Sequence, residues 1–291
     1  VIIALGTRLG FNSTFYSYKN INKKASIIQV DIEPKSLGRY FPITIGICND
    51  VKTFVDELYM KTIKLNKFPQ NDKWTNNLIK ERQHYLKSRD LEADLNEYPI
   101  HPTGLFKILR ETLPKNSSLT LDAGTLCLQA TDMFNFLEPR SFFTPLDFGL
   151  VGFSFACGLG VKLAKPESPV ISLMGDGGFG MTLSELSTAV KHQINTVTIV
   201  MNNRSWGAEK AYQRDFYNER YIGADIDSPP FDKVAELYGA KGYHIEKISE
   251  IKDSVKDALQ CNKPAVINVD IDPKALYSFR RDSFKHKKIK L

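Results

Sequence analysis

Apolar positions along this chain gather in short β-rich runs that alternate with helically spaced stretches, and this alternation carries the first expectation of its fold. Val1 to Leu5 and Ser26 to Ile32 read as strands, and a helical pattern follows around Val51 to Ile63, so residues 1–65 predict a small α/β unit. From Asn66 to Pro99 the composition turns polar and charged, with Trp74 and a helical stretch near Asn76 to Ser88; residues 66–98 are read as an inter-domain linker. Beyond it the alternation resumes. Helices are expected near Gly104 to Thr112, Leu126 to Phe136, Gly152 to Ala164 and Leu183 to His192, and at Phe231 to Tyr238, which Gly239 stops. Strands are expected at Ser118 to Leu121, Val170 to Met174, Thr196 to Met201 and Ala265 to Ile271. Strands separated by helical patterns need crossover connections, so the fold class is α/β, with two domains that each carry a mostly parallel sheet flanked by helices. The second domain spans residues 99–275, and 276–291 form a C-terminal tail.

Bulk composition narrows this picture only a little. A length of 291 residues suits two domains, and 42% hydrophobic with 25% charged residues is ordinary for globular proteins. No apolar run reaches membrane-spanning length, so no membrane partner is expected. The net charge of +6 is modest, and the clearest basic run, Lys285 to Lys290, reads as a solvated tail; nucleic acid is not an expected partner, whereas small anionic substrates are. Cys48, Cys127, Cys157 and Cys261 form no C-x-x-C pair, which argues against zinc or a disulfide framework and for a reducing, cytoplasmic compartment. The chain opens directly on a strand pattern at Val1, with neither a start methionine nor a signal peptide, and the expectation is that an N-terminal portion is missing.

The chemistry concentrates in Gly175-Asp176-Gly177-Gly178, where a buried strand runs through glycines into a helix whose start a Thr182/Glu185 capping box would mark. The next strand ends in Asn202-Asn203. Neighbouring parallel strands joined by a crossover place Asp176 and Asn203 together at the carboxyl edge of the sheet. Strands lie roughly 4.8 Å apart, close enough for one carboxylate and one amide oxygen to share an ion. Hard oxygen ligands suit Mg2+ and leave positions open for a diphosphate, while Gly177 and Gly178 offer N–H groups without side chains to obstruct a phosphate.

This G-D-G and N-N pair, with Asp176 and Asn203 separated by the 27 positions from 176 to 203, resembles the cofactor motif of the thiamine-diphosphate enzymes. The resemblance implies thiamine diphosphate and Mg2+ as cofactors, with Asp176, Asn203 and the backbone carbonyl of Ser205 as metal ligands. Gly149-Leu150-Val151-Gly152 resembles the family segment in which a glycine carbonyl, here that of Gly149, receives the cofactor's amino group and an apolar side chain, here Val151, wedges beneath it. Asp122-Ala123-Gly124-Thr125 follows a strand where the family makes further diphosphate contacts, which implicates Gly124 and Thr125. Ala4 to Gly10 and Gln29 to Pro34 are similar to the central domain of the acetolactate synthase branch, so residues 1–65 would be the C-terminal part of that domain.

Within that branch, Asn203 to Lys210, continuing through Gln213 to Asn218, and Phe279 to Asp282 look most like sulfoacetaldehyde acetyltransferases. Gly46 to Asp50 and Pro139 to Phe143 agree, whereas Asp147-Phe148 departs from that pattern. The implied reaction converts sulfoacetaldehyde and phosphate into acetyl phosphate and sulfite. Both substrates are anions, so Arg204, Lys210, Arg280 and Arg281 are candidate substrate cations, and Trp206 and Glu209 could line the pocket. The family's activating glutamate sits on a pyrimidine-binding domain that is expected outside this chain, in a homodimer or homotetramer. Two other readings stay open: acetolactate synthase or another 2-oxo-acid decarboxylase, and a non-catalytic nucleotide-binding module.

Overall fold

The computed structural model describes residues 1–14, 21–65, 71–91, 98–145 and 148–277. The described residues divide into two compact units, one built from 1–83 and the other from 84–277.

The first unit carries β1 (Ile2–Leu5), α1 (Phe11–Thr14), β2 (Ile27–Asp31), β3 (Ile45–Cys48) and α2 (Val51–Thr62), and α3 (Asp72–Leu91) begins in it. Its three strands run parallel in the order β1-β2-β3. Ile21, Ile27 and Phe41 form its core. The Asp50 carboxylate starts α2 by accepting from the Thr53 N–H at 3.0 Å, which satisfies one of the donors every helix leaves orphaned. The charged stretch read as a linker contains the polar, 20-residue α3.

The second unit is larger. In chain order it comprises α4 (Pro102–Thr112), β4 (Ser118–Leu121), α5 (Thr125–Met133), β5 (Phe142–Phe143), α6 (Phe153–Ala164), β6 (Val170–Gly175), α7 (Asp176–Thr182) and α8 (Leu186–Lys191). It continues with β7 (Val197–Asn202), α9 (Gly207–Phe216), α10 (Phe231–Tyr238), β8 (Lys241–Ile245), α11 (Ile251–Gln260) and β9 (Ala265–Asp270). Six strands pair in the order β5-β4-β6-β7-β9-β8, every pair parallel. Because both faces are covered, the central strands read as continuous apolar runs: each of Val197–Asn202 is buried. Ile171, Leu173, Ile199 and Ile267 pack on one face with Leu105, Phe106 and Leu109 of α4. Met174, Val200 and Val266 pack on the other with Phe155, Phe179 and Phe231.

One expected signal at the heart of the fold does not hold. Thr182 and Glu185 form no capping box, because the helix already starts at Asp176, directly after β6. The Thr182 hydroxyl instead donates to the Gly178 carbonyl at 3.4 Å, and the Glu185 carboxylate accepts from Thr188 at 2.9 Å. Among the described residues no helix is long and apolar enough to cross a membrane.

Helix α6 lies unusually close to the sheet. A Cβ on Gly158 would fall 2.2 Å from Ser172 Oγ, so only glycine permits this approach. The close contact lets the Thr120 hydroxyl bond those of Ser154 and Ser172, lets Ser172 Oγ donate to the Ser154 carbonyl, and fastens the first turn of α6 to β4 and β6.

Candidate functional site

The register Gly175↔Met201 ends β6 and β7 level with one another, so the residues that follow leave the same edge of the sheet. Asp176 opens α7 there, where a carboxylate is favoured by the exposed N–H groups and the dipole of a helix start. It is buried, and its Oδ2 accepts from the Ser228 hydroxyl at 2.6 Å. The backbone N–H of Arg204 donates to Asn202 Oδ1 at 3.2 Å and also lies close enough to stabilise this carboxylate, which sets Asp176 against the Asn203-Arg204 turn at the tip of β7. Burial nevertheless pushes the Asp176 pKa above its ordinary range, and the hydrogen bonds from Ser228, Gly177 and Arg204 offset this only in part.

The turn after β7 is held by a neighbouring extended segment. Trp206 N–H donates to the Ala224 carbonyl at 2.8 Å, and Ile226 N–H donates to the Arg204 carbonyl at 3.1 Å. The same segment leads on to Ser228, so one loop braces both Asp176 and the asparagine turn. Asn203 Oδ1 accepts from Ser205 N–H at 3.2 Å, and the buried Ser205 Oγ has no hydrogen-bond partner. A Cβ on Gly207 would lie 3.2 Å from both Asn203 Nδ2 and Thr125 Oγ1, so these two side chains flank one backbone point.

The glycines are filled from outside. Three ring atoms of Trp206 lie 2.5–2.8 Å from where a Gly177 Cβ would stand, so the indole rests on that residue's backbone. A Cβ on Gly178 would lie 2.1 Å from Asp122 Oδ2 and 3.4 Å from Val151 Cγ1. Gly124, Gly149 and Gly152 take φ of 101°, 71° and 86°, values that L side chains rarely adopt, and so turn the chain into α5 and α6 at this edge.

The structure therefore gathers Thr125, Val151, Asp176, Gly177, Gly178, Asn203, Ser205 and Trp206 in one network, with Gly124 and Gly175 adjoining them at the ends of β4 and β6. Arg204 and Glu209 are exposed beside it. Lys210 pairs with Asp225 at 2.5 Å and lies 5.4 Å from the centre of the Tyr221 ring. Arg280 and Arg281 lie outside the described residues, as do Asp147 and the basic stretch Lys285 to Lys290. Two residues at this edge were not foreseen as site residues, Asp122 and Ser228. Asp122 stood in a D-x-G turn too common to single out, and nothing in the local sequence marks Ser228.

The arrangement fits a hard divalent cation. Asp176 is a desolvated carboxylate with no lysine or arginine in ion-pair range among the described residues. The groups beside it, an amide oxygen and the oxygens of Ser205, supply hard donors and no sulfur or imidazole. Burying an anion without a counter-charge is costly, and a bound cation would remove that cost.

Comparison with known proteins decides the family. Residues 122–269 match the "Thiamine pyrophosphate enzyme, C-terminal TPP binding domain", and residues 1–58 match the "Thiamine pyrophosphate enzyme, central domain". The chain belongs to the thiamine pyrophosphate enzyme family. Thiamine diphosphate is the cofactor this binding domain implies, and the six-stranded sheet is that domain. A sulfoacetaldehyde acetyltransferase of Castellaniella defragrans is 33% identical over 97% of this chain and 51% of its own length. One from Alcaligenes xylosoxydans xylosoxydans is 31% identical over 97% of this chain and 51% of its own length. A probable acetolactate synthase large subunit of Methanocaldococcus jannaschii is 33% identical over 94% of this chain and 46% of its own length. The chain thus spans about half the length of the curated relatives it matches.

Proposed function

We propose that this chain is the cofactor-holding part of an acetyl-transferring enzyme that converts sulfoacetaldehyde and phosphate into acetyl phosphate and sulfite. The observation that carries this reading is the segment Asn203 to Lys210. It resembles the acetyltransferase pattern, and in it Trp206 lies on the Gly177 backbone beside Asp176. When bound, thiamine diphosphate supplies a nucleophilic thiazolium carbanion and an electron sink. The chain's own part is to hold and orient it. Asp176, Asn203 and the Ser205 carbonyl would take Mg2+, and the N–H groups of Gly177 and Gly178 would face the diphosphate. The Gly149 carbonyl would receive the amino group, and Val151 would support the cofactor from below.

Trp206, packed on the Gly177 backbone, would shield this end of the site from water and so strengthen the pull of nearby cations on anionic substrates. Arg204, exposed at the same turn, is then the described residue best placed to attract a sulfonate or a phosphate, with Arg280 and Arg281 as further candidates. In this reading the activating glutamate comes from outside the chain, the working enzyme is a homodimer or homotetramer, and the free cysteines support a cytoplasmic setting.

Product analysis of the full-length protein tests the reading. Sulfite and acetyl phosphate formed from sulfoacetaldehyde and phosphate are expected. Carbon dioxide released from pyruvate, with no sulfite from sulfoacetaldehyde, would instead make it an acetolactate synthase or a related decarboxylase. That reading keeps support from the 33% identity to the archaeal synthase.

A further inference from the structure

At the tip of β4 the Asp122 carboxylate is almost wholly enclosed, and among the described residues its partners are backbone N–H groups. Its Oδ2 accepts from Gly152 at 3.0 Å, its Oδ1 accepts from Ser154 at 3.3 Å, and the N–H groups of Ala123 and Phe153 add to the set. On its far side Oδ2 lies against the backbone of Gly178, where any side chain would collide with it. Asp122 thereby touches two segments far apart in sequence: the positive-φ loop Gly149–Gly152 with the start of α6, and the glycine turn at the start of α7.

These two segments carry, on the reading above, the groups that receive the cofactor's two ends. The amino-group acceptor Gly149 and the wedge Val151 belong to the first, and the diphosphate-facing glycines belong to the second. Val151 Cγ1 sits within van der Waals reach of the Gly178 position, so the separation of wedge and glycine turn is set where Asp122 joins them. A carboxylate suits the task because it only accepts, and its two oxygens can satisfy several converging N–H groups. An amide in its place would point an NH2 at one of those donors. Burial raises the Asp122 pKa, while the N–H bonds act against that shift.

We infer that Asp122 is a positioning residue that holds the Gly149–Gly152 loop at a fixed distance from the Gly177–Gly178 turn, and so sets the shape in which thiamine diphosphate is bound. The inference rests on the proposed cofactor site. It concerns a residue that touches neither metal nor substrate.

The test is Asp122→Asn in the full-length protein. Thiamine diphosphate is titrated at saturating Mg2+ by calorimetry, the near-UV circular dichroism of the bound cofactor is recorded, and the melting temperature is measured without cofactor. The expected result is a Kd for thiamine diphosphate raised about tenfold or more, with an altered dichroism spectrum at saturation and binding that still requires Mg2+. A merely structural role would lower the melting temperature and leave Kd and spectrum as in the wild type; that outcome overturns the inference. If the Asn variant does not fold, Gly178→Ala presses on the same carboxylate from the other side, and an unchanged Kd there overturns it equally. Failure of the wild-type protein itself to bind thiamine diphosphate with Mg2+ would remove the cofactor reading, and the inference with it.

Discussion

The tips of β4 and β6 offer a controlled comparison, since each ends at the carboxyl edge of the same parallel sheet and each is followed by a buried aspartate. Asp122 and Asp176 are 1% and 2% exposed, and burial pushes both pKa values up. Their surroundings differ in kind. Asp122 is met by backbone N–H groups alone, which are fixed donors already matched to an anion. Asp176 shares its N–H bonds with a hydroxyl, that of Ser228, which can rotate away, and it lies against the Asn203–Ser205 turn. A carboxylate met by fixed N–H groups is already matched; one that leans on a rotatable hydroxyl, beside a turn carrying amide and hydroxyl oxygens, can share a cation with that turn. The same residue at the same topological position thus becomes a clamp at one tip and a candidate ligand at the other.

The largest expected effect breaks the β6 side. Asp176→Ala should abolish Mg2+-dependent thiamine diphosphate binding, weakening it by more than about 100-fold, as read by calorimetric titration with and without the metal. A variant that still binds in a metal-dependent way would show that Asp176 is no more a ligand than Asp122. Next come the two glycines, which probe the tips separately. Gly178→Ala drives a methyl into the fixed Asp122 carboxylate and should cost about 1–3 kcal/mol in urea unfolding. Gly177→Ala meets the far edge of the Trp206 ring, which can swing aside, so it should cost less and shift the tryptophan fluorescence instead. The reverse ranking would mean that the indole, not the carboxylate, is the rigid partner.

A smaller effect is the pH dependence of the metal-free protein. Both aspartates have folded pKa values above the ordinary 3.8, so in the window above 3.8 the folded state holds more protons than the unfolded state. Stability contributed by these groups therefore falls as pH rises through that window. Melting temperatures across this range should show a shallower fall in Asp122→Asn than in the wild type, and added Mg2+ should remove the Asp176 share only. Identical slopes in all cases would dissolve the electrostatic likeness between the tips. The smallest change is expected for Ser228→Ala, which removes one orienting bond to Asp176; apparent Mg2+ affinity should drop about tenfold, with Asp122-side behaviour untouched.

Most of the large unit was legible because its strands are buried on both faces. Val170–Gly175, Val197–Asn202 and Ala265–Asp270 read as apolar runs, and Gly239, at φ 92°, ends α10 where glycine was expected to end it. Elements with weaker local signals were not read. Strand β8, Lys-Gly-Tyr-His-Ile, lies at a sheet edge with one buried residue, and β5 is two residues long. Helix α9 is short and polar, with Ala211 its one buried residue. The capping-box signature at Thr182 failed for a related reason: a local motif competes with the tertiary requirement that α7 begin where β6 ends.

From the sequence by itself came the covered parallel sheet, strand ends at Met174 and Met201 that fall one residue short of the observed ones, and the oxygen ligands expected beyond them, because periodicity and residue chemistry are local properties. Tertiary structure alone decided that Lys210 pairs with Asp225, that Ser228 reaches Asp176 across 52 positions, and that Asp122 joins two loops. Those facts depend on which backbone N–H or side chain arrives from elsewhere in the chain, and no run of neighbouring residues records that.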